Sequence, residues 1–225
     1  MPELLHYTLQ PAARMIRLML GEYSVAHRLR EVKPWRREKE LLDIDPSAEG
    51  PILLVEDQPP VVGVTAVMLH IEERFAHTAA DATLFPSGAA NRAEARRLTD
   101  WVLFKLNDEV SRYVIEEKII KRDLSASPEP SVLRAAKSNL AEHLAYLNYL
   151  FATRRWVAGE NMTIADFALA AHLSSLDYLG DVPWDEAGEV KLWYQRIKSR
   201  PAFRALLADK FIPIPAVTHY ADLDF

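Results

Sequence analysis

The chain has 225 residues, 49% of them hydrophobic and 26% charged, which suits one globular unit or two small ones with a sizeable core. Its 32 acidic residues outnumber 27 basic ones, so no excess positive charge is present to hold nucleic acid by its phosphates. Cysteine is absent, which excludes disulfides, thiolate nucleophiles and zinc–thiolate sites.

The N-terminus MPELLHY has neither the basic nor the apolar region of a signal peptide, and no charge-free apolar run is long enough to span a bilayer. A cytoplasmic protein without membrane insertion is expected. LHYTLQPAARMIRLML predicts a strand ending near Tyr7, a turn at Pro11 and a helix with Ile16 and Leu20 on one face. The runs LLHYTL, RMIRLML, HRLREV, LLDI, PILLV, PPVVGV and AVMLHIEERF then follow in the order βαβαββα, a small sheet with helices packed on it.

Between the second strand and the next helix lies KPWRREKEL, where Trp35 is flanked by Arg36 and Arg37 ahead of Leu41 and Leu42. Aromatic and arginine side chains are common anchors of protein interfaces, which makes these three partner-binding candidates; the alternative for Trp35 is core packing. AHTAADATLFPSGAAN is rich in small residues and carries Pro86 and Gly88, the features of a linker. The expected division is a sheet domain over 1–77, a linker over 78–90, an all-helical domain over 91–210 and a tail over 211–225.

In the helical part, Leu98, Val102, Leu106, Val110 and Val114 recur at fourfold spacing, and Leu133, Ala136, Leu140, Leu144, Leu147 and Phe151 mark a second helix. Each stripe reads as a core face. The first of these helices ends in EEKIIKRD, from Glu116 to Asp123. Glu116, Glu117, Lys121 and Arg122 are either a solvated helix end or one side of a charged rim facing Trp35. In GENMTIADFALAAHL, Thr163 and Asp166 form a capping box and Met162 with Phe167 a hydrophobic staple, a structural role for Asp166.

The end, FIPIPAVTHYADLDF, carries Pro213 and Pro215 and then alternates acidic with apolar residues. It either folds back on the body or presents Asp222, Leu223, Asp224 and Phe225 to a partner. Seven histidines are scattered without HExxH or a close pair, so no metal site is indicated.

The element order, together with AEGPIL, AVMLHIEERF, WVAGENMTIADFALAAHL and WYQRIKSRPAF, resembles the glutathione transferase superfamily up to about Leu207. The resemblance implies a thioredoxin-like N-terminal domain, a helical-bundle C-terminal domain and a cis peptide bond before Pro51. It also marks where a glutathione site lies, and there the sequence departs from the pattern. Bacterial members commonly place Ser or Cys before the proline that opens the first helix, where this chain has Gln10, a carboxamide without a dissociable proton. The acidic-or-amide and Ser positions ahead of the third helix are Gly63 and Val64, and Gly50 precedes Pro51. These substitutions imply a protein that is not an enzyme, needs no cofactor and is a poor glutathione partner. Tyr7 offers the alternative: either the hydroxyl of a tyrosine-type transferase or a ring packed at the edge of the sheet.

KPWRREKEL, the missing Ser and Cys, and HYADLDF resemble one branch of the superfamily, the transferase-like cell-division proteins of alphaproteobacteria that bind FtsZ. That likeness implies FtsZ polymers as partner, a location at the division site, and a homodimer with the helices from Asn91 and Ser131 in its interface.

Overall fold

A computed structural model describes residues 1–76, 83–212 and 214–225. Positions 77–82, which include part of the expected linker, and Pro213 of the expected tail lie outside the described residues.

The N-terminal half follows the order read from the sequence. Strand β1 (Glu3–His6) pairs in parallel with β2 (Arg28–Glu31) and antiparallel with β3 (Ile52–Leu54), which pairs antiparallel with β4 (Val61–Val62). The spatial order is β2-β1-β3-β4. Successive side chains of a strand point to opposite faces, so Leu4 enters the main core while Leu5 joins Leu41, Ala48 and Ile52 beneath α2 (Lys39–Ile44). On the main-core face lie α1 (Pro11–Glu22) and α3 (Val64–Phe75), which bury Met15, Ile16, Met19 and Leu20, and Val67, Met68 and Ile71. Pro11 sits in the first turn of α1, where its missing N–H costs no intrahelical bond.

The helical half opens with one unbroken rod. Helix α4 (Ala89–Asp100) continues through a wide-turn, π-type stretch over Trp101–Ser111, α5 (Arg112–Ile115), a second wide stretch over Glu116–Ile120 and α6 (Lys121–Asp123). The fourfold stripe explains why the wide turns are tolerated. At 3.6 residues per turn, residues four apart drift steadily around an α-helix, and wider turns bring them back into line. Leu98, Val102, Leu106, Val110 and Val114 are all buried accordingly.

Helix α7 (Pro130–Phe151) packs alongside this rod, and α8 (Ile164–Tyr178) is buried on every side, with Ala168, Ala170 and Ala171 allowing close neighbours. Helices α9 (Glu189–Lys198) and α10 (Arg204–Leu207) complete the bundle. The capping box is present: the Thr163 N–H donates to Asp166 Oδ2 at 2.8 Å, and the Thr163 hydroxyl accepts from the Ala165 N–H at 3.3 Å. Asp166 also accepts the Val157 N–H and the Trp193 indole N–H, each at 2.9 Å, so this helix start also ties α8 to α9 and to the loop before it.

The halves meet where α1 packs on α8. Arg14, fully buried, donates to Ser174 Oγ and to Asp209 Oδ2 at 2.8 Å each, and Arg17 grips the same carboxylate through both oxygens. A buried ion network of this kind fixes one relative placement, since a partner lost from it leaves an uncompensated buried charge.

The tail folds back. Tyr220 is buried and donates to the Leu206 carbonyl at 3.0 Å. Phe225 lies against Trp184, stacks on His219 and covers the ammonium of Lys198, 4.1 Å from its ring centre. Of the two arrangements open for the tail, packing on its own body is the one found for Tyr220 and Phe225, while Asp222, Leu223 and Asp224 face outward.

Candidate functional site

A groove of about 640 Å³ runs between the halves. Tyr7, Gln10, Trp35, Arg37 and Val64 line it on the sheet side, and Phe104, Asn107, Ser111, Glu116 and His172 on the helical side.

Tyr7 follows β1 directly, and its ring meets the edges of Trp35 at 4.8 Å and Phe211 at 5.8 Å. It is 2% exposed, and its hydroxyl has no hydrogen-bond partner among the described residues. Burial, reinforced by the carboxylates of Glu31 and Asp123, pushes the phenol far above its ordinary range, so it stays protonated. Of the two alternatives for Tyr7, the packed ring is the one found, with its hydroxyl buried at the groove wall.

Gln10, at the N-cap of α1, makes no cap bond; its amide donates to the Glu49 carbonyl at 2.7 Å. The loop it holds is organised from within by Asp45, whose carboxylate accepts the N–H groups of Ser47, Glu49 and Gly50 and lies below the usual carboxylate range despite its burial. The Gly50–Pro51 bond is cis, as the resemblance implied. Gly63 caps α3 with φ of 89°, in the region that favours glycine, and no side-chain cap bond is made there. The glutathione-side positions thus present an amide already committed to backbone, a glycine and a valine.

On the opposite wall, Ser111 Oγ lies 2.9 Å from His172 Nδ1. Burial lowers His172 to about 3, so the imidazole is neutral. Sequence reading passed over this pair, because the two residues lie on different helices and neither sits in a motif.

At one end of the groove the charged rim exists, and its organiser is a residue not singled out in the sequence. Asp123, the last residue of α6, accepts from Lys33 Nζ at 2.7 Å, Trp35 Nε1 at 2.8 Å and Arg36 Nε at 2.9 Å. Arg36 also reaches the Asp123 carbonyl at 2.9 Å. These donors hold the carboxyl well below its usual range. A tryptophan among basic residues needs an acceptor for its indole N–H, and the final Asp of EEKIIKRD was the available signal. Trp35 is half-buried, its ring against Tyr7 and its N–H on this carboxylate.

The other rim candidates divide. Arg37, in a left-handed conformation with φ of 49°, and Arg122 are exposed, and their side chains make no ion pair or hydrogen bond among the described residues. Glu116 is exposed on the groove wall. Glu117 turns inward, 4% exposed, accepting the Glu129 N–H at 2.6 Å and pairing with Lys121 at 2.7 Å. Its i,i+4 spacing from Lys121 and the incoming chain at Glu129 commit the Glu117 carboxylate inside the molecule, with Lys121 half-buried over it. The outward tail residues Asp222, Leu223 and Asp224 and the packed Phe225 lie at the end of the chain beside α9, where Gln195 donates to the Phe225 carbonyl at 3.2 Å.

Among the described residues, no group of His, Asp and Glu is arranged to hold a metal ion, and no helix is long and apolar enough to cross a membrane.

Residues 95–201 match the family of the glutathione S-transferase C-terminal domain. The chain is 41% identical to FtsZ-localized protein A of Caulobacter vibrioides, over 98% of this chain and 96% of that protein. The solved structure of FzlA from C. crescentus superposes with a TM-score of 0.93 at 39% identity, covering 100% of this chain and 99% of that one. A glutathione S-transferase from Sinorhizobium meliloti 1021 superposes with a TM-score of 0.95 at 38% identity, covering 100% of each chain. With this four-stranded sheet, this helical half and these relatives along almost its whole length, the chain belongs to the glutathione S-transferase superfamily and, within it, to the family of FtsZ-localized protein A.

Proposed function

We propose that the protein is a non-catalytic, transferase-like cell-division protein that binds FtsZ polymers as a homodimer at the division site, shaping filaments and regulating constriction. The observation that carries this reading is the 41% identity to FtsZ-localized protein A over 98% of the chain. The groove supports it, because Gln10 is bonded to Glu49 and Val64 stands where a ligand-holding hydroxyl is expected. Partner binding falls to the rim, through Trp35, Arg36, Arg37, Glu116 and Arg122, and to the outward part of the tail. Two identical sites on a twofold dimer bridge polymers, since bivalency raises avidity without new contacts.

The second reading is a glutathione-dependent transferase, favoured by the Tyr7 hydroxyl, a protonated donor at the groove without a partner among the described residues. One pair of measurements separates them. The protein is expected to pellet with assembled FtsZ, and to be neither retained by immobilised glutathione nor able to conjugate it above buffer. Turnover that disappears in Tyr7→Phe would establish the enzyme instead.

A further inference from the structure

Lys198, the last residue of α9, is fully buried, and its ammonium has no hydrogen-bond partner among the described residues. The carboxylate beside it, Asp177, stands 3.7 Å away and is occupied by others: it accepts the Trp184 indole N–H at 2.7 Å and the Tyr194 hydroxyl at 3.2 Å, and lies 3.0 Å from His219 Nε2. An ammonium carries three N–H groups, and here rings take the place of acceptors. The Phe225 ring lies 4.1 Å from Nζ, the Tyr194 ring 5.5 Å and the Tyr220 ring 5.6 Å, each within the range over which an aromatic face attracts a cation. Phe225 also has Lys191 Nζ at 5.1 Å, stacks on His219 and meets Trp184 edge-on at 5.0 Å. None of these residues lines the groove between the halves.

The tail that brings Phe225 to this pocket is fastened unevenly. Tyr220 is a fixed anchor, buried, with its hydroxyl on the Leu206 carbonyl and its ring 5.1 Å from that of Tyr178. From Ala221 to Asp224 every residue is exposed, and the one side-chain hydrogen bond of this stretch is internal, from the Asp224 N–H to Asp222 Oδ1 at 2.9 Å. Phe225 then returns to the body by its ring and by one hydrogen bond, from Gln195 to its carbonyl. Four exposed residues between an anchor and a single seated ring form a strap that can lift without disturbing the anchor, because the ring is all that holds its far end.

We propose that the pocket of Lys198, Trp184 and Tyr194 is a recognition site for an aromatic residue in an acidic segment, filled in cis by Phe225 and opened when the strap from Ala221 to Asp224 lifts away from Tyr220. The tail is then the site's own competing ligand, favoured by being tethered beside it. A partner segment of the same chemistry, an aromatic ring preceded by carboxylates, displaces Phe225 and frees Asp222, Leu223 and Asp224 in one step. The ring is what the pocket reads, since Lys198 has no other close cover on that side. The carboxylates assist, as Asp222 does now by stabilising the Lys198 charge against its burial. This site holds for any partner with such a segment and does not depend on FtsZ.

The test titrates a fluorescent peptide, Ala-Asp-Leu-Asp-Phe amidated at its C-terminus, against the full chain and its Phe225→Ala variant, followed by anisotropy. The peptide is expected to bind the variant at least tenfold more tightly than the wild type, whose own tail competes. Leu in place of the peptide's Phe is expected to weaken binding several-fold, and Ala in place of both Asp residues to weaken it less. In parallel, acetylation of Lys198 by a limiting N-hydroxysuccinimide ester, read by mass spectrometry against the other lysines, is expected to be several-fold faster in Phe225→Ala and to slow again when the peptide is added. Equal binding to wild type and variant would place the peptide elsewhere and overturn the proposal. A variant that ignores the peptide overturns it too, and leaves Phe225 as fixed packing. Phe and Leu peptides that bind alike, or equal acetylation of Lys198 in both proteins, also overturn it, because the ring is then neither read nor a cover. If Phe225→Ala has no cooperative melt, Phe225→Leu replaces it: leucine fills the space without an aromatic face, and the same ranking is expected at smaller amplitude.

Discussion

His6 and His172 are buried and neutral, lowered by that burial to about 4 and about 3, while Asp166 is pushed up by its burial to about 6. The two effects oppose each other in acid. Each imidazole binds a proton more readily in the unfolded chain, near 6.5, so its contribution is present above that value and lost as pH falls toward the folded one. Asp166 has a raised folded value, so its contribution is full below 3.8 and is lost as pH rises through 6. Between pH 7 and pH 4.5 the imidazoles together lose about 5 kcal/mol and Asp166 returns about 2. The protein is therefore expected to lose about 3 kcal/mol on acidification, and His172→Gln only about 0.5 kcal/mol, measured by urea unfolding at the two pH values. An unchanged difference would mean that His172 binds its proton as readily in the fold as in the unfolded chain. At this scale the sequence was legible where partners are close along the chain. The capping box of Thr163 and Asp166 could be read because its members stand three positions apart. The further bond from Trp193 could not, since its partner lies 27 positions away, and the bonds from Lys33, Trp35 and Arg36 to Asp123 join segments some ninety positions apart, for which the final Asp of EEKIIKRD was the one signal.

The tail and the long rod show what periodicity does and does not reveal. Both helical stripes were readable, because burial of one face imposes a spacing, and their residues are buried or half-buried in the fold. The wide turns from Trp101 were not, although a strict repeat of four is their trace. For the tail, alternation of acidic and apolar residues left two arrangements open, and the deciding partner is Lys198. Its ammonium is buried without a hydrogen bond, 3.7 Å from Asp177, and its charge is screened from water by Phe225. Removing that ring uncovers an imperfectly paired charge and part of an aromatic cluster. Phe225→Ala is expected to cost about 1–2 kcal/mol, half the scale of a fully buried aromatic, and Asp222→Ala with Asp224→Ala within about 0.5. Thermal melts of the two variants check this; equal melts would mean that Phe225 contributes nothing in solution.

At the scale of the molecule, element order carried the architecture, since a βαβαββα succession followed by helices leaves few ways to cover both faces of a small sheet. The interdomain placement was not readable, because it is fixed by Arg14, Arg17 and Asp209, charged residues that a sequence reading assigns to the surface. The proposed dimer uses the outer faces of α4 and α7. Between α7 and the wide stretch lies a hollow of about 410 Å³ lined by Trp101, His143 and Tyr146, and Tyr149 stands 75% exposed on α7. A dimer at micromolar concentration is expected by sedimentation; monomer alone would remove the bridging mechanism.

One rod, from Ala89 to Asp123, carries the proposed dimer face near its beginning and the Asp123 latch at its tip. It is about 50 Å long, and no loop interrupts it. In a pair of such molecules the two rims are joined through continuous helix, with no slack segment between them. If the proposed dimer bridges polymers through this rim, the rod would act as a ruler: the gap would be set by a helix length, and inserting a turn before Asp123 would change spacing and mutual tilt.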